Sequence, residues 1–553
     1  MRCTPPLRLV LIAAALSLSI PLALAAKQTV CTITVNSSDE KEVFRRHLPA
    51  SKYEFVELVE RNRPDWLNSA CQAAITCDVL IISGHYDGTN AFFSDRLELQ
   101  EHLPLDELER VSCSDSCPGL FSQLKEVYLF GCNTLNPIAL SSASAEIVRS
   151  LVREGHSLKE AERQLRALNA EHGESSRDRM RQVFWDVPVI YGFSSVAPVG
   201  PVAASSLDRF FRTNGAGEVG GGRSSGRLLQ HFAPFAMSAA QGMTEKDPRA
   251  DARGDVCQFV DDRLTDTKRL GFVHALLQRE TGEARMHLDR IQRYTKLLED
   301  PTRRTPEVNT ALATIAADKA TRARYLAFAR DADKPAVRAR MIRVALDLGW
   351  LTPEARWTEL ALMLGELQAR STVSVTELDL ACTLNEDGEL DGAFNRRVVA
   401  GGPQDDVPHA AFRACLGSTE GHARTLHGLV SPHETDVRMA QAYLRHRPIT
   451  DRSELRGVAA EIVAMPPSEA QVRALESLGR HYVSDRAILD MLVKLYTDTK
   501  SSSVQIAVAG ILIRADRSSM SSPELVSTLL VERLPAPGGG NMLDALVRQL
   551  QSR

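Results

Sequence analysis

The sequence predicts an α/β domain built on a mainly parallel sheet, followed by an all-α domain. Three observations carry this reading. Short apolar runs alternate with helical stretches up to about residue 212, the order expected of strands joined by crossover helices. Two of the runs, CDVLIIS at 77–83 and EVYLFGC at 126–132, are almost continuously apolar, as strands covered on both faces are. From about residue 250 amphipathic helices follow one another with short polar turns, and no alternating strand interrupts them. At 553 residues the chain exceeds one ordinary core, so two or three domains are expected.

Composition narrows the function classes. Hydrophobic residues make up 44% and charged residues 25%, which places the chain among globular proteins. A formal net charge of -4 argues against nucleic acid as the main partner. The N-terminus carries Arg2 and Arg8, then the apolar LVLIAAALSLSIPLALA, ending in Ala23-Leu24-Ala25. That is the layout of a secretory signal peptide over residues 1–25, so an exported protein, periplasmic or secreted, is expected. No later segment is apolar for long enough to span a bilayer. Ten cysteines fall to nine once Cys3 leaves with the signal peptide. An exported compartment favours disulfides, and an odd number leaves at least one thiol over. Cys132, at a strand end, is the candidate for that free thiol, whereas Cys113 and Cys117 sit in a polar loop suited to bridging. The SCSDSC stretch has no second ligand pair nearby, so no metal is expected. No cofactor motif was identified.

The elements run in order. VCTITV, from Val30 to Val35, alternates like a strand. SDEKEVFRRHL follows as a helix, with Ser38 placed to cap and acids in the first turn. YEFVELV is a second strand. CDVLIIS is the third, PLDELERV a short helix, and EVYLFGC the next buried strand. SLKEAERQLRALNAEH is helical, and HGESSRDRMRQ opens another helix on a capping serine. VPVIYGFSS, from Val187 to Ser195, is one more strand, broken by APVGP. These elements define a domain over 27–212.

TNGAGEVGGGRSSGR, at 213–227, is too rich in Gly and Ser for a stable element, so residues 213–249 are read as a flexible linker or loop. Its Arg223 and Arg227, with Arg212 just before it, would suit a processing loop. The helical domain then covers 250–553. VRARMIRVALDLGWL gathers Val337, Met341, Val344, Ala345 and Leu348 on one face. RAILDMLVKLY gathers Ile488, Met491, Leu492 and Leu495, and VQIAVAGILIRAD gathers Val504, Val508, Ile511 and Leu512. Pairs such as 485–497 and 503–515 resemble those of HEAT-type repeats, with a compact helical domain as the alternative.

Two reactive side chains stand just past buried strands, His85 in VLIISGHYDG and Cys132 in VYLFGCNT. Ligands bind outside the carboxyl ends of strands in open α/β sheets. A thiol needs a base or an electropositive site to act as a nucleophile near neutral pH, and an imidazole on a neighbouring strand end would supply one. Other histidines, His47, His102, His156 and His172, do not follow a buried strand in this way.

An apolar strand ending in Ser-Gly-His85, then an apolar strand ending in Gly131-Cys132, resembles the caspase-like cysteine peptidases, the group of caspases, gingipains, legumain, separase and CHAT domains. The His-to-Cys separation is 47 positions, close to the roughly 50 of caspases. The resemblance covers residues 28–212 and implies a Cys132/His85 dyad. Cys132 would attack a peptide carbonyl and His85 would manage the proton on the leaving amine. The backbone N–H groups of Cys132 and Tyr86 would form the oxyanion hole. The chain departs from the family in having Tyr86 rather than Gly after the His, and Asn133-Thr134 after the Cys, nearer to CHAT-type sequences than to the caspase QAC motif.

The strand at 189–198 would line the cleft, with Ser194 and Ser195 offering hydrogen bonds to a substrate backbone. Asp87 and Asp95, in the loop after His85, are the carboxylates considered for a basic-residue pocket. The expectation is an exported thiol protease acting on protein or peptide, with a helical domain that binds substrate or a protein partner. The alternative is a caspase-like fold without turnover, serving as a protein-binding scaffold. A thiol oxidoreductase is disfavoured because no C-x-x-C occurs.

Overall fold

The computed structural model describes residues 26–553 apart from 60–66, 89, 95–100, 115, 142–144, 154, 392–405, 482, 516–522, 535–545 and 548–553. The expected signal peptide, and Asp95, lie outside the described residues. The chain divides into two compact units. The first reaches Leu276 and includes Gly282–Met286, and the second takes Leu277–Thr281 and continues from His287.

The first unit is built on a six-stranded sheet. Its strands are β1 (Gln28–Thr34), β2 (Tyr53–Val59), β3 (Val79–Ser83), β4 (Glu126–Phe130), β5 (Val189–Phe193) and β6 (Met237–Ala240). The spatial order is β6-β5-β4-β3-β1-β2, and every neighbouring pair is parallel except β5 with β6. After β2 the chain returns to the other side of β1, so the strand order reverses between β1 and β3. A crevice opens at the carboxyl ends at such a point.

Alternation along the central strands fills two apolar layers. Val79 and Ile81 of β3, with Tyr128 and Phe130 of β4, face helices α1 (Asp39–His47) and α4 (Gly200–Arg212). There they meet Val43, Phe44, Leu207 and Phe210. Leu80, Ile82, Val127 and Leu129 face the other way, onto α2 (Leu105–Cys113) and α3 (Ser176–Val183), with Leu108, Val111, Met180 and Val183. Helices cover both faces, which is why β3 and β4 read as unbroken apolar runs. Each of these buried side chains contributes about 1.5–3 kcal/mol relative to exposure.

One of the two expected serine caps forms and the other does not. The Ser175 hydroxyl and the Asp178 carboxylate form a reciprocal capping box that starts α3. Ser38 precedes α1 but makes no side-chain cap. Ser37 Oγ instead accepts from Asp39 N–H at 3.1 Å.

Residues 213–249 differ from the flexible linker expected. Gly215–Glu218 forms a 3-10 turn, Gly226–His231 is a helix, and β6 pairs along β5. The glycines serve a close approach. Gly220 has φ +77°, and a Cβ there would stand 2.5 Å from Gln28 Oε1. Gly222 N–H donates to buried Glu126 at 3.0 Å. Ser225 N–H donates to Tyr191 Oη at 2.7 Å. A Gly-rich stretch without apolar periodicity gives no sequence signal for this docking. The unit boundary also lies later than residue 250. Helix Ala250–Val260 is tied to α2 by the Cys113–Cys257 disulfide, and Arg253 donates to Ser112 O at 2.7 Å.

The second unit is helical throughout its described residues. Helix Pro335–Asp347 buries Val337, Met341, Val344 and Ala345, and Leu348 is buried just beyond it. In Arg486–Asp498, Ile488, Leu492 and Leu495 are buried, while Met491 is only half-buried. Successive helices also pack on the second neighbour: Glu434–His446 on Glu469–Leu478, and that helix on Ser502–Arg514. A Cys382–Cys415 disulfide joins two of its helices. Among the described residues no helix is long and apolar enough to cross a membrane.

Four disulfides form: Cys31–Cys77, Cys71–Cys117, Cys113–Cys257 and Cys382–Cys415. They fit an oxidising compartment. Cys132 is the free cysteine among the described residues, as the odd count suggested.

Candidate active site

β3 and β4 are hydrogen-bonded neighbours, with Ser83 registered against Phe130. Gly84 N–H continues the ladder to Phe130 O at 3.2 Å. His85 and Cys132 each follow two residues after these paired ends. Both line one cleft of about 550 Å³ at the carboxyl ends of β1, β3, β4 and β5.

Cys132 is half-buried, and Ala197 N–H donates to its Sγ at 3.3 Å. The turn behind it is tightly held. Asn133 takes φ +58°, a left-handed conformation that Asn tolerates better than most side chains. Its N–H donates to Ser195 O at 2.7 Å. Thr134 Oγ1 donates to Gly131 O at 3.2 Å and accepts from Phe193 N–H at 3.0 Å. The segment carrying Cys132 is thus fastened to the end of β5.

His85 begins a short strand, His85–Tyr86, that pairs antiparallel with Ala91–Phe93. Its ring centroid lies 5.5 Å from that of Phe93. Tyr86 points the opposite way, into the α2/α3 layer beside Phe92, and is only 4% exposed. Burial pushes its phenol well above the usual range. Asp87 N–H donates to Ala91 O, so ladder alternation turns Tyr86 N–H away from the Phe92 strand. Tyr86 is therefore not among the residues lining the cleft.

The other sequence candidates fall elsewhere. Ser194 Oγ donates to Ala236 O at 3.2 Å, and Ser195 O accepts from Asn133 N–H. Neither serine is among the lining residues, and Val196–Pro201 takes that place. Asp87 Oδ1 accepts from Asn90 and Ala91 N–H groups, closing the hairpin turn.

Sequence reasoning missed the wall made by Asn36–Glu40, at the end of β1. The rule that singled out His85 and Cys132 applies equally to NSSDE after VCTITV. Glu40 is 3% exposed. Its Oε2 and the neighbouring Ser83 Oγ are buried without closing a full hydrogen bond. Burial pushes the Glu40 carboxyl up to about 7, opposed by its own backbone N–H and by the Ser83 hydroxyl. The Ala197 contact had no sequence signal, because any residue can donate a backbone N–H. Among the described residues no cluster of His, Cys, Asp and Glu is arranged to hold a metal ion.

Comparisons with protein-family models, with curated proteins and with solved structures return no match for this chain.

Proposed function

We propose that the chain is an exported, caspase-like cysteine peptidase that cleaves peptide bonds through Cys132 and His85. The observation that carries this is the placement of the unpaired thiol and the imidazole at matched ends of adjacent parallel strands, in one cleft. The four disulfides support export.

In this reading the Cys132 thiol passes its proton to His85, and Sγ attacks the substrate carbonyl carbon. The carbonyl oxygen gains the negative charge and faces the N–H groups of Cys132 and Tyr86. His85 returns the proton to the amine as the C–N bond breaks, leaving a thioester that water hydrolyses. Ala197 N–H already donates to the sulfur, which holds it in place for attack. The helical unit, with its successively packed helices, would bind substrate or a protein partner.

The test has two arms. Cys132 should react with iodoacetamide faster than in denatured protein, and more slowly in His85→Ala. The wild-type protein should cleave a mixed peptide library and Cys132→Ala should not. Equal silence from both proteins would leave the second reading, a caspase-like scaffold without turnover.

A further inference from the structure

His85 stands on a slight element. The strand His85–Tyr86 pairs with Ala91–Phe93 at two positions and lies at the edge of a three-stranded sheet completed by His102–Pro104. So short a ladder does not by itself hold a side chain to the precision that proton transfer requires. At the turn of this hairpin Gly88 takes φ +85°, and Asp87 Oδ1 accepts from Asn90 and Ala91 N–H. Those contacts lie within the hairpin. They set its shape, and not its place relative to Cys132.

The first turn of α3 supplies a hold from outside. Ser176 Oγ donates to Gly88 O at 2.8 Å, across 88 positions of sequence. Ser176 is 1% exposed, and the Tyr86 phenol lies beside the same hydroxyl. One residue on, Arg177 N–H donates to Asn136 O at 3.1 Å, in the segment that leaves Cys132. Just before the helix, Glu174–Ser175 pairs antiparallel with Ala139–Ser141, further along that segment. One helix start therefore grips the chain after His85 and the chain after Cys132.

The grip has its own support. Ser175 and Asp178 close the capping box, and Met180 and Val183 fix the helix in the apolar layer beneath β3 and β4. The bonds to the Cys132 segment are made by backbone. The bond to Gly88 O is made by one side chain, and Gly88 is buried, so loss of the hydroxyl takes away a partner that water does not readily replace. Ser176 is not among the residues lining the cleft, so any effect it has on chemistry passes through the segment it holds.

We propose that Ser176 is a positioning residue for the dyad, its bond to Gly88 O keeping the His85 segment at the spacing from Cys132 that proton transfer needs. The proposal rests on the peptidase reading and adds to it a residue outside the cleft.

The experiment uses the full mature chain and the best peptide that the library identifies. Ser176→Ala should lower kcat about 10- to 100-fold, the effect of a displacement near 1 Å, with KM within about 2-fold of wild type. Val183→Ala, in the last turn of the same helix, is the control for lost stability and should keep kcat near wild type. The second readout is the iodoacetamide rate of Cys132 in a double-mutant cycle. Ser176→Ala should slow it where His85 is present and change nothing in the His85→Ala background. Slowing by the same factor in both backgrounds marks a loss of structure alone and overturns the proposal. So does wild-type kcat in Ser176→Ala beside an inactive His85→Ala. If wild type cleaves no peptide, the peptidase reading fails separately. The alkylation cycle then decides the positioning role by itself, and an unchanged rate in Ser176→Ala sinks it.

Discussion

Gly84 and Gly131 stand side by side just past the ends of β3 and β4, so close that a Cβ on Gly131 would lie 2.9 Å from Gly84 O and 2.9 Å from Tyr86 Cβ. Each glycine directly precedes a candidate dyad residue. The contact brings the two backbones together where His85 and Cys132 leave the sheet.

Gly131→Ala should therefore disturb the site more than an alanine on an open surface. The atoms in the way are a backbone oxygen and a buried side chain, which yield only by moving the strands. Overpacking of this kind costs about 1–3 kcal/mol. Urea denaturation should report that loss, and the iodoacetamide rate of Cys132 should change with it. Wild-type stability and rate in the variant would refute the constraint.

Asn133 sits at φ +58° immediately after Cys132. Asn133→Gly should be tolerated, because glycine enters this region freely. Asn133→Val should cost about 1–2 kcal/mol, since a β-branched side chain is strained there. Melting curves of the two variants give the comparison. Equal destabilisation by both would point to the Asn133 side chain, which accepts from Asn136 Nδ2 at 3.2 Å, rather than to its backbone.

Glu40 makes stability depend on pH in a defined direction. Its folded-state value is raised, from 4.5 to about 7, so the folded state holds the proton more tightly than the unfolded state. Stability from this group is full below about 4.5 and is lost as pH rises through about 7, by about 3 kcal/mol in total. Glu40→Gln should remove that dependence. Urea midpoints at pH 5 and pH 8 should show the variant gaining on wild type at the higher pH. A gain at the lower pH would reverse the sign and refute burial as the dominant cause.

The Cys113–Cys257 disulfide spans 144 positions, and closing so long a loop removes about 5 kcal/mol of unfolded-state entropy in the chain-entropy model. Replacing both cysteines by serine should lower stability by about 2–5 kcal/mol. Urea denaturation measures the loss, and non-reducing peptide mapping of the wild type should recover the linked pair. A different partner for Cys257 would also overturn the assignment of Ala250–Val260 to the first unit.

The sequence by itself determined the strands and helices whose burial leaves a periodic trace. β2 was read to the residue, and β3, β4 and β5 were legible because a strand covered on both faces cannot hide its apolar run. Cysteine parity singled out one spare thiol, and the strand-end rule chose Cys132 and His85. Only the tertiary structure decided what that rule cannot see. The strand order brings β3 beside β4 and sets the end of β1 against the cleft, because parallel neighbours in space need not be neighbours in sequence. Residues 213–249 fold because their glycines let backbone approach Gln28 and Glu126, a long-range fit with no local signature. Ser194 and Ser195 gave way to Val196–Pro201 as cleft lining, because the turn after Cys132 takes the serine backbone for its own hydrogen bond. Local pattern reports what a residue buries; which distant groups meet there is settled only when the sheet closes.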